Sequence, residues 1–131
     1  MPTVKDAPKT ASTIVVRSDA NARITHSRDP YFSLMRRIFQ NDSSAIKGQN
    51  FLRLVEDRQL SGDPLKTIEW EAISKNLKIS RVAFYAMRNR LLGLGLISIE
   101  NKEYRLSGEF SRDLLDMARW WKIAILNHKE V

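Results

Sequence analysis

The 131 residues, of which 43% are apolar, predict a single domain with one modest hydrophobic core. Cysteine is absent and the two histidines, His26 and His128, lie near opposite ends, so disulfides and a cysteine nucleophile are excluded and no metal or cofactor is expected. The net charge of +7 favours an anionic partner, either nucleic acid or a membrane surface, and the position of the charges has to decide between them.

Residues 1–28 have the composition of a flexible basic arm, rich in Thr, Ser, Ala and charged residues. Two β-prone runs, 13–16 and 22–25, lie on either side of a turn-like cluster and could instead pair as a short hairpin. No apolar run reaches the length of a membrane span, and the N-terminus lacks the layout of a secretion signal. We therefore expect a cytoplasmic, nucleoid-associated protein without a membrane partner.

Residues 29–131 are expected to form the folded domain. Asp29 and Pro30 are typical of an N-cap and a first helical position, and apolar residues follow them at helical spacing. Residues 41–44 have the composition of a loop, so the second helix is predicted to be properly under way only around Asn50. The domain is therefore expected to begin with two helices joined by a polar loop.

The next segment predicts a short helix, a tight turn, a longer helix and a hairpin. The apolar face of the short helix is expected to carry Ile68, Trp70, Ile73 and Leu77. Ser80 is a suitable N-cap for the longer helix over 81–94, and Gly95 is suited to a left-handed C-terminal cap. A strand at 96–99, a polar tip and a returning strand at 104–106 complete a small β-hairpin.

The last predicted helix, residues 109–128, carries an apolar stripe too wide for one small domain to cover. We expect a second copy of the chain to cover it, which predicts a homodimer. The interface residues expected on this basis are Leu114, Met117, Trp120, Trp121 and Ile125. The alternative is that the first helix, residues 31–40, packs on this stripe within the same chain.

Two stretches in the middle of the chain are WEAISKNLKIS at residues 70–80 and LLGLGLI at residues 91–97. In this order they resemble the winged helix-turn-helix superfamily, which covers MarR-like and ArsR-like regulators and some plasmid replication proteins. The resemblance spans about residues 50–108 and departs at Ser74, where a small apolar residue is usual. It implies a mostly α fold with a small β-hairpin wing (α+β), in which residues 81–94 form a DNA recognition helix.

The segment between Glu71 and Glu100 contains five basic residues and no acid. These basic residues are Lys75, Lys78, Arg81, Arg88 and Arg90. A basic helix pair without acids attracts a duplex phosphate backbone, so double-stranded DNA is the expected partner. An enzyme is not expected, because the sequence shows no paired carboxylates with a base, no nucleophile elbow and no phosphate-binding glycine loop.

The apolar residues of helix 81–94 recur at i, i+3 and i+7 and are expected to face the core: Phe84, Met87 and Leu91. The other side is then predicted to present Arg81, Tyr85 and Arg88 to the major groove. Lys78 and Ser80 lie at the turn, where they are expected to contact phosphates.

The hairpin is predicted to add contacts to the adjacent backbone or minor groove through Asn101, Lys102 and Arg105. Lys75 and Arg90 are interpreted as flanking charges. Trp70 is expected in the core and not on a base-stacking platform.

The sequence as a whole predicts a dimeric transcriptional regulator that binds double-stranded DNA. A plasmid or viral replication or maintenance protein would carry the same features, and genetic context would separate the two. A winged helix that docks onto a protein complex is the alternative of another class, and its association would be insensitive to salt. No small-molecule ligand is evident.

Overall fold

The computed structural model describes residues 30–126, which are mostly helical and contain one two-stranded antiparallel hairpin. In chain order the elements are α1 (Pro30–Ile38), α2 (Asp42–Leu60), a 3₁₀ turn (Thr67–Glu69), α3 (Trp70–Leu77), α4 (Arg81–Leu94), β1 (Ile97–Glu100), β2 (Glu103–Leu106), α5 (Glu109–Trp120) and a π-helical segment (Trp121–Ile125). The expected α+β class is confirmed at this level. The N-terminal arm or hairpin of residues 1–28 and the N-cap at Asp29 lie outside the described residues.

The second helix begins at Asp42, so the prediction that it is under way only around Asn50 is wrong. Asn41 is its N-cap, and the Asn41 Oδ1 accepts a hydrogen bond of 2.8 Å from the backbone N–H of Ser44. Asn, Asp and Ser favour loops and helix N-termini for the same reason, since their side chains bond nearby backbone groups. The polar run that was interpreted as a loop is therefore the cap and first turn of α2.

Gly48 allows α1 and α2 to approach closely. A Cβ atom at Gly48 would lie only 2.6 Å from the Phe39 Cε2 and 3.3 Å from the Met35 Sδ. The corner between the helices is closed by Arg36, whose Nη1 donates to the Phe39 carbonyl at 2.9 Å and whose Nε lies 2.7 Å from the Asp42 Oδ1. These contacts hold α1 against α2.

The core lies between α2, α4 and the hairpin, and its centre is aromatic. The Phe51 ring packs edge-to-face on the Phe84 ring at 5.5 Å between centroids and on the Tyr104 ring at 5.4 Å. All three side chains are fully buried. The predicted core residues of α4 are confirmed as buried: Phe84, Met87 and Leu91.

The local signals at both ends of α4 are also confirmed. The Ser80 Oγ accepts from the Ala83 N–H at 3.1 Å, as expected of an N-cap, and Gly95 adopts the left-handed conformation with φ +82°. The turn before α4 passes through Lys78, which is itself left-handed at φ 58°. Ser80 and Gly95 thus define the two ends of α4, and Lys78 forms the tight turn between α3 and α4.

The prediction for α3 is partly wrong. Ile68 is 80% exposed because it lies in the 3₁₀ turn that precedes α3, and Trp70 is only half-buried. Ile73 and Leu77 are buried as expected. Ser74 is buried as well, and its Oγ donates to the Trp70 carbonyl at 2.7 Å, so this polar residue is satisfied inside the fold.

The hairpin is short and firmly attached. Its strands β1 and β2 are joined by Asn101 and Lys102, which both have positive φ as a two-residue hairpin turn requires. The Tyr104 N–H donates to the Leu65 carbonyl at 2.7 Å, and the Thr67 N–H donates to the Lys102 carbonyl at 2.9 Å. The tip is thus held against the segment that leads into α3.

The helix α5 buries none of its residues. It is attached at its start, where the Phe110 N–H donates to the Gly95 carbonyl at 3.0 Å. Because α1 packs on α2 and no residue of α5 is fully buried, the alternative in which the first helix covers the C-terminal stripe is wrong. Over residues 30–126 no helix combines the length and apolar character needed to cross a membrane.

Candidate nucleic-acid interface

The exposed side of α4 differs from the predicted one. Val82, Ala86 and Asn89 are exposed at i, i+4 and i+7 and therefore share the outermost face of the helix. The expected trio of Arg81, Tyr85 and Arg88 lies on one flank of that face. The sequence spacing could have indicated that Arg88 lies near the buried face. Arg88 follows Phe84 by four residues and precedes Leu91 by three, so it is a helical neighbour of both buried residues.

The expectation that Arg88 points outward is wrong, since the residue is only 7% exposed. Its guanidinium carbon lies 4.3 Å from the Tyr85 ring centroid, and its Nη1 lies 3.5 Å from the Tyr104 hydroxyl oxygen. Its Nε and Nη2 donate to the Asn89 Oδ1 at 3.3 and 3.0 Å. Within the described residues Arg88 forms no ion pair, so aromatic rings and neutral oxygens stabilise a buried positive charge.

Burial raises the pKa of Tyr104, and the hydrogen bond from Arg88 opposes part of that rise. The hydroxyl therefore remains neutral at physiological pH. Arg88 is buried because the hairpin packs on α4. Tyr104, from β2, contacts Arg88 on that side of the helix.

Arg81 is exposed at the first turn of α4, as predicted. Its guanidinium carbon lies 4.7 Å from the Trp70 ring centroid and 5.7 Å from that of Tyr85. Tyr85 thus lies between two guanidinium groups, and we call Trp70, Arg81, Tyr85 and Arg88 the arginine–aromatic stack. Because each cation–π contact limits side-chain freedom, the stack holds Arg81 in place while leaving its charge accessible.

The turn before α4 presents Lys78 and Ser80, which are both exposed. The Ser80 hydroxyl is used as the helix cap, so a phosphate at this point would be held by the first backbone N–H groups of α4 and by Lys78. In the described part of the chain neither Lys78 nor Arg81 forms an ion pair.

The hairpin offers fewer free groups than the sequence predicts. Arg105 is held by two carboxylates, with its Nη2 3.1 Å from the Glu103 Oε1 and its Nε 3.8 Å from the Glu100 Oε2. The expectation that Arg105 contacts DNA loses its support, because the charge is neutralised within the hairpin. Asn101 and Lys102 remain exposed at the tip.

The two residues interpreted as flanking charges contact their own chain. Lys75 pairs with Glu71 at 3.4 Å on the exposed side of α3. The Arg90 Nη1 donates to the Ile38 carbonyl at 2.7 Å, which ties α4 to the end of α1. Beside Arg90 an open cleft of about 430 Å³ separates α4 from the first turn of α2, and the sequence did not indicate it.

The residues expected in a dimer interface form an exposed apolar surface on α5 and the π-helical segment. Met117 is 59% exposed, and the adjacent tryptophans, Trp120 and Trp121, are 60% and 54% exposed. Leu114 is partly buried and Ile125 is exposed. Three large side chains that widen the predicted stripe are exposed as well: Leu115, Ile123 and Leu126.

Residues 28–127 match a protein family described as an archaeal family, and the chain therefore belongs to that family. The matched region covers every element of the structure from α1 to the π-helical segment. Comparisons with curated proteins and with solved structures found no match.

Proposed function

We propose that this chain is a winged helix-turn-helix protein that binds double-stranded DNA. The order α3, turn, α4 and hairpin supports this assignment, with α4 as the recognition helix and the hairpin as the wing. The observation that carries it is the exposed outer face of α4 beside two cations, Lys78 and Arg81, that no carboxylate of the described chain neutralises. A surface of this kind attracts a polyanion.

In the proposed complex α4 lies in the major groove. Arg81, held by the arginine–aromatic stack, contacts a phosphate or a base edge. Lys78 and the first backbone amides of α4 bind the adjacent phosphate. Lys102 and Asn101 extend to the backbone beside the groove. Arg88 supports the helix from within, and Arg105 stays paired inside the wing.

A titration of random-sequence duplex DNA by fluorescence anisotropy across salt concentrations tests this proposal. The double variant Lys78→Ala/Arg81→Ala removes two expected phosphate contacts, so the slope of log K against log salt should fall by about 1.8. The matched control Arg53→Ala/Arg112→Ala removes the same charge from exposed positions of α2 and α5, away from α4 and the hairpin, and should leave the slope close to that of the unaltered chain. Absence of duplex binding at low salt, or an equal loss in the control, would refute the proposal.

We also propose that the DNA-binding form is a homodimer joined through α5. The support is the apolar surface on α5, which the described chain leaves uncovered and which a second copy would bury. A two-fold dimer would place its recognition helices about 34 Å apart and would bind a pseudo-palindromic site.

Sedimentation equilibrium measures this association directly. The variant Met117→Glu/Trp121→Glu places two charges in the proposed interface and should shift the chain from dimer to monomer while the circular dichroism of the domain persists. The control Arg112→Glu changes an exposed polar position of the same helix and should remain dimeric. A chain that is monomeric without any substitution would contradict the dimer.

Transcriptional regulation in the cytoplasm is the simplest role for such a dimer. A replication or maintenance protein would use the same contacts. A protein-docking winged helix is distinguished by the salt titration, because its binding would not depend on Lys78 and Arg81.

A further inference from the structure

The outermost face of α4 carries no charge. Val82 is 81% exposed, and Ala86 and Asn89 extend the same face along the helix. If α4 enters a major groove, as the proposed function requires, these three side chains approach the base edges first. Arg81, the exposed arginine on the flank, is then nearer to the phosphates.

The chemistry of this face fits A·T base pairs. An asparagine amide can donate to adenine N7 and accept from adenine N6, whereas a valine or alanine methyl packs against the C5-methyl group of thymine. Guanine is ordinarily read by arginine or lysine, and neither of these residues lies on the outermost face.

Arg88 fixes the orientation of the Asn89 amide. A guanidinium carries only donors, so the atom that faces the Arg88 Nε and Nη2 is the Asn89 oxygen, and the Asn89 Nδ2 points away from Arg88. Because Nε and Nη2 lie on one edge of the guanidinium, both bonds reach Oδ1 from one side. A second acceptor direction on Oδ1 therefore remains, as bidentate adenine recognition needs.

The contacts of the buried Arg88 also indicate how it could affect DNA recognition. Its neighbours are the Tyr85 ring, the Tyr104 hydroxyl and the Asn89 amide, and this set contains no carboxylate. A charge held in this way polarises the Asn89 amide instead of being neutralised beside it. Arg88 would thus act on DNA through Asn89 and not by direct contact.

We propose that Asn89 recognises adenine in the major groove, that Arg88 is its positioning residue, and that Val82 contacts a thymine methyl group. The inference rests on the proposed DNA binding and adds the base pairs that would be read. Each half-site should then contain one adenine that depends on Asn89 and one thymine that depends on Val82.

Selection of bound duplexes from a random library, with the full chain, tests the adenine. The unaltered chain should enrich one adenine per half-site, and replacing that base pair should weaken binding by about 5- to 150-fold. Asn89→Asp keeps a partner for Arg88 and so should fold, but a carboxylate cannot donate to adenine N7. It should lose the adenine and shift that position toward cytosine, whose N4 amino group donates to a carboxylate.

Arg88→Lys keeps the charge and removes the fork that orients Asn89. It should reduce the enrichment of adenine at that position. The base preferences at the other positions and the slope of log K against log salt should remain unchanged. A purely structural role would instead weaken binding at all positions together, and circular dichroism would report the loss of fold.

The thymine is tested with the selected duplex in which uracil replaces that one base, which removes only the methyl group. Binding of the unaltered chain should weaken by about 3- to 5-fold, and Val82→Ser, which has no methyl group to offer, should bind the two duplexes almost equally. If salt-dependent duplex binding occurs but Asn89→Asp and Arg88→Lys leave the selected site unchanged, this inference is refuted and the proposed function stands. If the unaltered chain binds no duplex, both are refuted.

Discussion

The helices α4 and α5 are of similar length, 14 and 12 residues, but the chain uses them in opposite ways. Five residues of α4 are buried, whereas α5 buries none. Packing on α2 and the hairpin fixes the rotation of α4 about its own axis. That rotation determines which side chains lie on the outer face. The orientation of α5 is set by its own chain chiefly at the first turn, so its apolar surface is available to a partner.

Truncating one aromatic residue of α4 and one of the π-helical segment that continues α5 gives the largest expected contrast. Phe84→Ala should lower the free energy of unfolding by about 3–5 kcal/mol, because the ring is fully buried against Phe51 and the cavity would not collapse. Trp121→Ala should change it by less than about 0.5 kcal/mol at high dilution. Urea denaturation at several protein concentrations measures both values.

The concentration dependence sharpens this contrast. If α5 joins two copies, the effect of Trp121→Ala should grow with protein concentration, because association stabilises the folded state by mass action. A large effect of Trp121→Ala that does not change with concentration would mean that α5 is stabilised by its own chain.

The junction between the two helices gives the next largest effect. Gly95 has φ +82°, and a Cβ atom there would lie 2.9 Å from the Glu109 Cβ and 3.0 Å from the Phe110 nitrogen. Gly95→Ala should therefore combine a left-handed backbone penalty with overpacking and lower the unfolding free energy by about 2–4 kcal/mol.

Gly62→Ala is the matched control for the junction. Gly62 has the same φ of +82°, but nothing lies within 4 Å of the added Cβ, so only the backbone penalty of about 1–2 kcal/mol is expected. Equal losses in the two variants, measured by thermal denaturation, would show that the close approach of α5 to Gly95 contributes nothing.

The smallest predicted effect depends on pH and lies in the packed part of the chain. The Lys66 N–H, 2.8 Å from the Glu69 Oε2, and the Arg58 guanidinium hold the pKa of Glu69 below its ordinary value. The stabilisation is fully present above the pKa of the unfolded chain and is lost as the pH falls through the lower folded-state pKa. Glu69→Gln should therefore lower the unfolding free energy by about 1 kcal/mol at pH 7.

That difference should disappear in acid, as the pH falls through the lowered pKa of Glu69 and the carboxyl of the unaltered chain becomes protonated. Glu71→Gln, which removes an exposed ion pair with Lys75, should have the smaller effect at pH 7. A Glu69→Gln deficit that is constant from pH 7 to pH 3 in urea titrations would contradict the assigned cause.

Local signals predicted those features whose causes lie within a few residues. Ser80 and Gly95 were identified as the caps of α4 because capping depends on adjacent backbone groups. The residues at 41–44 were misread because Asn and Ser serve loops and N-caps alike. Gly48 packs closely on Phe39, which precedes α2 in the chain, and this contact stabilises the first turns of α2 as a helix. Such a contact is not visible in the composition of residues 41–44.

The sequence by itself determined the order of helices and hairpin, the caps of α4, the basic segment without acids and the apolar stripe near the C-terminus. Only the tertiary structure decided that Arg88 is buried and that Asn89 and Val82 form the outer face of α4. The physical reason is that capping and periodicity act over one or two helical turns. The exposure of a side chain depends instead on residues that arrive from elsewhere in the chain, here Tyr104 from the hairpin and Trp70 from α3.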